Sequence, residues 1–510
     1  MSRRDALQKT AKGLLLAGVV IVAAALCLLL WPKGAPIEAT SPSETLVEAS
    51  AGLDDVTISA DFDPVTRTLA VSQTLLLQNR TGGAQNAIVL RTYANAYRDE
   101  DYSPAATDEL HAACYPDGFS EGSLKFQNIR LQMGDSDEQS ATYAYDDDAH
   151  TVLRVALPSE WAAGAQATLR LEYTLTIPLC AHRFGENEGI VTLGNVFVLP
   201  SPFVDGEYLA DAYDSIGDPF VSECRNYRVT LALPTGWQAA GSAAGVAGEP
   251  TAEGKQTLVF DAPAVRDFAL TLSREYVTRE AVQDGVLVRA FATTDSKAAR
   301  LLKYAKQALS CFAARYGAYP YPTFTLSEVH FPFGGMEYPS LVMIASSYLE
   351  NDNATLETLI AHETAHQWWY AVVGSDQFRQ AWQDEALAEF SVLDYWETYY
   401  GKDARDELQF SRVETSMRLT IAEGVTPGSP VDYFGDLNEY TLVVYNRGAA
   451  ALCALDTAMN GTLDEFLRAY YDTYAFRLAT RADFETLLQA FTGEDWSPLL
   501  SDYLDTYINS

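Results

Sequence analysis

The stretch Thr355-Leu-Glu-Thr-Leu-Ile-Ala-His362-Glu363-Thr364-Ala365-His366-Gln-Trp-Trp-Tyr-Ala-Val-Val373 places apolar residues at three- and four-residue spacing around two histidines. That spacing predicts a helix over 355–373. Residues four apart share a helix face, so both imidazoles reach one metal ion. Glu363 stands beside them, placed to take a proton from water activated at such a metal. The chain has only six histidines, so the pair is not a by-product of a histidine-rich composition.

A catalytic metal of this kind needs a third protein ligand. Trp369 and Val372 stand where an extended histidine motif would place glycine and histidine, so that ligand comes from elsewhere. The next predicted helix, 378–400, carries Trp382-Gln-Asp-Glu385-Ala-Leu-Ala-Glu389, with eighteen residues between His366 and Glu385.

Working outward, 298–316, 448–459 and 483–491 follow the same helical rule, and Gly374 and Gly401 sit where helix C-termini belong. Segments 323–330 and 341–344 read as strands, which makes 276–510 an α+β domain. Residues 51–275 alternate instead: 56–62, 69–77, 167–177 and 227–233 are predicted strands, punctuated by turns at Asp63-Pro64, Thr81-Gly82-Gly83 and Asp117-Gly118. Many short strands between turns predict an all-β domain of sandwich-like or saddle-like form. The chain is therefore multidomain.

The N-terminus has a different character. Gly13 to Trp31 is free of charge and long enough, at ~1.5 Å per residue, to cross a hydrocarbon core of ~30 Å. Arg3, Arg4, Lys9 and Lys12 precede it, so residues 1–50 read as a cytoplasmic stub, a single transmembrane helix (13–31) and a linker. The run ends in Trp31-Pro32-Lys33 without a small-x-small exit site, which favours an uncleaved anchor with the body outside the cell membrane. The formal net charge of −34 excludes nucleic acid as a partner. None of the six cysteines forms a CxxC pair; one disulfide among Cys114, Cys180 and Cys224 suits an exported body, and the sequence does not choose the pair.

H-E-x-x-H followed eighteen residues later by Glu in a W-x-x-E segment resembles the aminopeptidase N family of gluzincins. The resemblance implies a thermolysin-like catalytic domain and one zinc ion per chain, held by His362, His366 and Glu385, with Glu363 as general base. Gly334-Gly335-Met336-Glu337-Tyr338-Pro339 resembles the family's G-x-M-E-N segment. That implies an edge strand whose Gly334, Gly335 and Met336 line a peptide substrate and whose Glu337 grips the free α-amine. Tyr338-Pro339 departs from the pattern, in place of the asparagine. Tyr440-Thr-Leu-Val-Val-Tyr445-Asn-Arg447-Gly448-Ala449 resembles Y-x-K-G-A, implying Tyr445 as hydrogen-bond donor to the oxyanion, Tyr440 as structural and no catalytic role for Arg447. Glu389 either orients a ligand histidine or is solvated. Segments 217–234 and 479–484 also resemble the family, extending the likeness over 51–510. The long C-terminal helical domain of many members has no counterpart, which implies a more open site. The expected activity is removal of N-terminal residues from peptides. An open-cleft endopeptidase or oligopeptidase is the alternative, and an inert membrane-tethered binding module fits poorly with an intact set of His362, Glu363, His366, Glu385 and Tyr445.

Overall fold

The computed structural model describes residues 42–105 and 107–506, which form one compact unit. The predicted transmembrane helix lies outside the described residues, and no helix within them is long and apolar enough to cross a membrane. The linker expectation is corrected at its end. Glu44–Ser50 is a helix, capped by the Ser43 hydroxyl, and it buries Leu46 against the body.

Residues 55–273 form β-structure. An eight-stranded sheet runs, edge to edge, through Val246–Ala247, Gln256–Val265, Arg225–Leu233, Asp55–Asp63, Thr68–Gln78, Gln166–Thr176, Ser123–Met133 and Gln139–Ser140. Asp55–Asp63 and Thr68–Gln78 alternate buried and exposed residues, the mark of a sheet with one face on a core and one in solvent. Two four-stranded sheets and a two-stranded hairpin, Phe203–Val204 with Glu207–Tyr208, complete this half.

A mixed five-stranded sheet opens the second half, in the order Val277–Gln283, Val286–Ala292, Thr323–Val329, Leu341–Ala345, Gly335–Met336. Thr323–Val329 and Leu341–Ala345 are buried at every position, as befits parallel strands covered on both faces. Gly335–Met336 runs antiparallel to Leu341–Ala345 at the edge of the sheet. The helix Asp295–Tyr316 starts at a Thr294 cap. The motif helix Ala354–Ala365 starts at an Asn353 cap. The helix Trp382–Tyr400 is buried all round from Trp382 to Tyr395, so it runs through the middle of the helical layer.

Two boundaries differ from expectation for a common reason. The motif helix stops at Ala365, with His366 as its C-cap, rather than running to Val373. The buried Arg266 guanidinium, from the β half, takes the carbonyls of Tyr370 and Val372, along with those of Ser222 and Arg477. Those acceptors belong to a loop, not a continuing helix. Gly374 is therefore no helix cap: a Cβ there would stand 2.2 Å from the Arg266 guanidinium carbon. Gly401, with φ of 86°, does end its helix.

Candidate metal centre and cleft

The four-residue spacing in the motif helix and the next helix bring three donors together. His362 Nε2 lies 3.2 Å from His366 Nε2 and 3.2 Å from Glu385 Oε2. His366 Nε2 lies 3.3 Å from Glu385 Oε2. Donors bonded at ~2.0–2.2 Å to one tetrahedral ion stand ~3.3–3.5 Å apart, so the triangle fits zinc with the fourth position open. All three residues are buried. Burial disfavours charge on His362, but Glu385 and Glu389 outweigh it and push the imidazole up to about 9. A field that favours a proton on these rings favours a divalent cation among them.

The outer partners are as ordered as the donors. His366 Nδ1 faces the Asp384 carboxylate and lies 3.1 Å from the Trp369 carbonyl. Asp384 in turn accepts from Gln377. His362 Nδ1 lies 3.5 Å from Glu389. Glu389 is fully buried and paired with Arg412, which, with the histidine, holds its carboxyl down at about 2. Of the two readings of Glu389, the solvated one is corrected: the side chain is buried and faces His362. Such carboxylate contacts fix ring orientation and raise ligand basicity.

Glu363 is buried in the same cavity, where desolvation lifts its carboxyl to about 7 against the two imidazoles. Gly335 must be glycine: a Cβ would stand 2.4 Å from the Glu363 carboxyl, and one on Gly334 would stand 2.8 Å from Leu359. The edge strand thus lies directly against the motif helix. Tyr445 stacks on His362 with centroids 5.5 Å apart and planes 9° apart. It sits on a π-helical stretch, Thr441–Arg447, a form that recurs at functional sites. Burial and the Glu385 charge keep its phenol protonated. Gly448, next in the chain, lets Gly448–Ala458 pack closely on the helix that carries Glu385; a Cβ there would meet that of Ala386 at 2.7 Å.

Glu337 lies at the other end of the cluster. One carboxylate oxygen each of Asp218, Glu337 and Glu385 fall within 4.8 Å of one another. Glu337 is 3% exposed and its Oε1 has no hydrogen-bond partner. Burial, with the neighbouring carboxylates, raises its pKa well above the usual range. The residue after it explains the departure from the family segment. Tyr338 reaches out of the cleft and donates to Asn195 Oδ1 at 2.8 Å, and Asn195 donates to Asp267 in the β half. Gly194 makes room for that phenol, since a Cβ would stand 1.9 Å from its oxygen.

The cavity has a volume of about 600 Å³. The metal-type donors that face it are buried. Asp218, Arg183, Asp384 and Arg412 were not singled out in the sequence. Arg183 pairs with Asp218 and lies over the rings of Phe220 and Phe333, and both come from the β half. Asp218 lies inside the 217–234 segment, but nothing local marked it as facing a cleft. Asp384 had a signal in its place directly before Glu385. Tyr440 is buried and packs edge-on against Tyr445, 5.8 Å between centroids, in keeping with a structural role.

Two histidines four apart, a Glu beside the first and a Glu from the following helix define a metallopeptidase-type site of the gluzincin arrangement. Residues 300–503 match the Peptidase family M1 domain, a match that supports the resemblance to the aminopeptidase N-like gluzincins. It is 28% identical over 244 residues to aminopeptidase N of Lactobacillus helveticus, covering 44% of this chain and 28% of that protein. It is 28% identical over 225 residues to aminopeptidase N of Homo sapiens, covering 40% of this chain and 23% of that one. The chain thus spans less than a third of the curated relatives it matches. The fold is similar across both halves to that of an M1 zinc metallopeptidase from Deinococcus radiodurans, at TM-score 0.60 and 18% identity, covering 90% of this chain and 95% of that one.

Proposed function

We propose that this protein is a zinc aminopeptidase that removes N-terminal residues from peptides. The observation that carries this reading is the pairing, in one cavity, of a tetrahedral-type donor triangle with a buried carboxylate at Glu337 whose Oε1 has no hydrogen-bond partner. His362, His366 and Glu385 would hold the ion, and zinc bound there supplies Lewis acidity, polarising the scissile carbonyl and acidifying water. Glu363 takes the proton from the attacking water and passes it to the leaving amine nitrogen. Tyr445 donates its phenolic hydrogen to the developing oxyanion. Glu337, with Asp218 beside it, accepts the substrate's ammonium group and so fixes the register at the first peptide bond. Gly334, Gly335 and Met336 present the edge-strand backbone to the peptide. A second structure of the Deinococcus radiodurans protein, a point mutant of it, is bound to a Tyr-ser-ala substrate, which supports a short peptide as the class of ligand here.

The N-terminal run Gly13–Trp31 belongs to the same proposal as a single-pass anchor that holds the body outside the cell membrane. Protease accessibility of the body in intact cells, with membrane retention through alkaline extraction, tests it.

The activity test uses the full chain loaded with one zinc per chain, offered free-amine aminoacyl amides and their N-acetylated twins, with and without a chelator. Chelator-sensitive cleavage of the free-amine set alone supports the reading. Equal cleavage of blocked or internal bonds overturns it in favour of an endopeptidase, and zinc binding without cleavage overturns the enzymatic assignment.

A further inference from the structure

Two of the segments that the β half contributes to the cavity wall are the helix Asp108–Cys114, which carries Leu110, and the loop that carries His182 and Arg183. Each segment has a cysteine at the point where the two meet. Ala181 donates its backbone N–H to the Cys114 carbonyl at 2.8 Å, and Cys114 is among the groups that act on the buried Cys180 thiol. Both side chains are buried, at 0% and 2% exposure. The backbone bond holds Cys114 directly beside the residue that follows Cys180, and a disulfide needs only that its two Cα atoms lie ~5.5–6 Å apart. The other three described cysteines stand apart: Cys224 among Arg266, Arg225, Glu223 and Asp267, Cys311 against Thr398 at 3.4 Å, and Cys453 beside Arg405 and Asp456. All five are thiols in this structure.

We propose that Cys114 and Cys180 close as a disulfide that clamps the two wall segments together. The chemistry needs a low-molecular-weight disulfide as oxidant. One cysteine thiolate attacks it, forming a mixed disulfide and releasing one small thiol. The second thiolate attacks the mixed disulfide, forming the Cys114–Cys180 bond and releasing the second small thiol. The two protons shed by the protein end on the released thiols, and the oxidant takes up two electrons. Burial shields both sulfurs in the finished fold, so closure belongs to folding, before the helix seats.

The test refolds the full chain from reductant into a buffer of oxidised and reduced glutathione, then alkylates it in denaturant without reduction. Closure leaves four of the six cysteines alkylated, and peptide mapping yields one cross-linked pair containing Cys114 and Cys180. Cys224→Ser keeps that pair, whereas Cys114→Ser and Cys180→Ser each leave all five remaining cysteines alkylated. Reduction of the closed protein lowers Tm by ~3–5 °C for a chain of this size. Six alkylated cysteines after refolding, or a cross-link joining any other pair, overturns the proposal. The wild-type map decides the matter even where a serine variant fails to fold.

Discussion

Glu328 and Glu337 lie nine residues apart and are both buried, yet their surroundings are opposite. Glu328 is fully enclosed and fully served: Lys297 donates to it at 2.8 Å, the Thr293 backbone N–H at 2.6 Å and its hydroxyl at 2.7 Å, and the Ser346 hydroxyl also donates. These donors overcome desolvation and hold its carboxyl below the usual range. Glu337 has desolvation opposed chiefly by the His366 imidazole. Its Oε1 is unpartnered, its neighbours include Asp218 and Glu385, and its pKa is driven up. A buried charge left unpaired costs stability, so a fold that keeps one beside a metal-type triangle has reserved it for a ligand. Glu328 belongs to the scaffold, and under the proposed function Glu337 is the group that receives a cation from outside.

The sharpest break in that comparison comes from the carboxylate that handles protons rather than charge. Glu363→Gln keeps the shape of the cavity and the donor triangle but cannot accept a proton. With zinc content unchanged by metal analysis, kcat is expected to fall by ~10³-fold or more. Near-normal turnover at full zinc occupancy would remove Glu363 as the base.

Next in size is Glu328→Ala, which removes the buried carboxylate from Lys297, Thr293 and Ser346 and leaves the lysine only the exposed Glu350. Loss of such a partner costs ~3–5 kcal/mol, read as a lower urea midpoint with an unchanged slope. The protein that remains folded should cleave with wild-type kcat/KM. A normal midpoint with damaged catalysis would invert the roles of the two glutamates.

How much of this was legible in the sequence follows from what each residue needs. The donor triangle was readable because helix geometry fixes the reach of residues four apart, and the family resemblance placed Glu385 and Tyr445. The segments predicted in the second half came within a few residues of their observed bounds, except where Arg266 ends the motif helix from about 100 residues away in sequence, while Val277–Gln283, Val286–Ala292, Lys402–Leu408, Leu463–Tyr474 and Ser497–Leu504 were not predicted. That interaction has no local signature, and neither does the closeness of Arg183 and Asp218 to the zinc-type centre, since strand alternation shows which residues face inward but not what they face. Tyr338-Pro339 looked like a perturbation of the substrate strand. The structure gives it a different meaning, because the phenol leaves the cleft and bonds to Asn195.

Glu337→Ala tests the other side of the comparison. Free-amine substrates should lose ~10–100-fold in kcat/KM, chiefly through KM, as a charge-assisted contact worth a few kcal/mol disappears. N-acetylated substrates, already poor, should not change, and the urea midpoint should hold or rise because an unpaired buried charge has been removed. Equal losses on both substrate sets would make Glu337 a structural residue like Glu328.

The smallest effect separates the pair by proton linkage. The folded-state pKa of Glu328 is lowered, so its contribution to stability is present above the unfolded value of ~4.3 and is lost as pH falls through the lower folded value. Glu328→Gln has no such proton to bind. The gap in stability between wild type and Glu328→Gln should therefore be constant from about pH 8 to ~5 and narrow below ~4.3. Urea midpoints measured across that range supply the check. A gap that widened with acid would mean that the carboxyl binds its proton more tightly in the fold than in the unfolded chain, and the donors around Glu328 would then not be stabilising its charge.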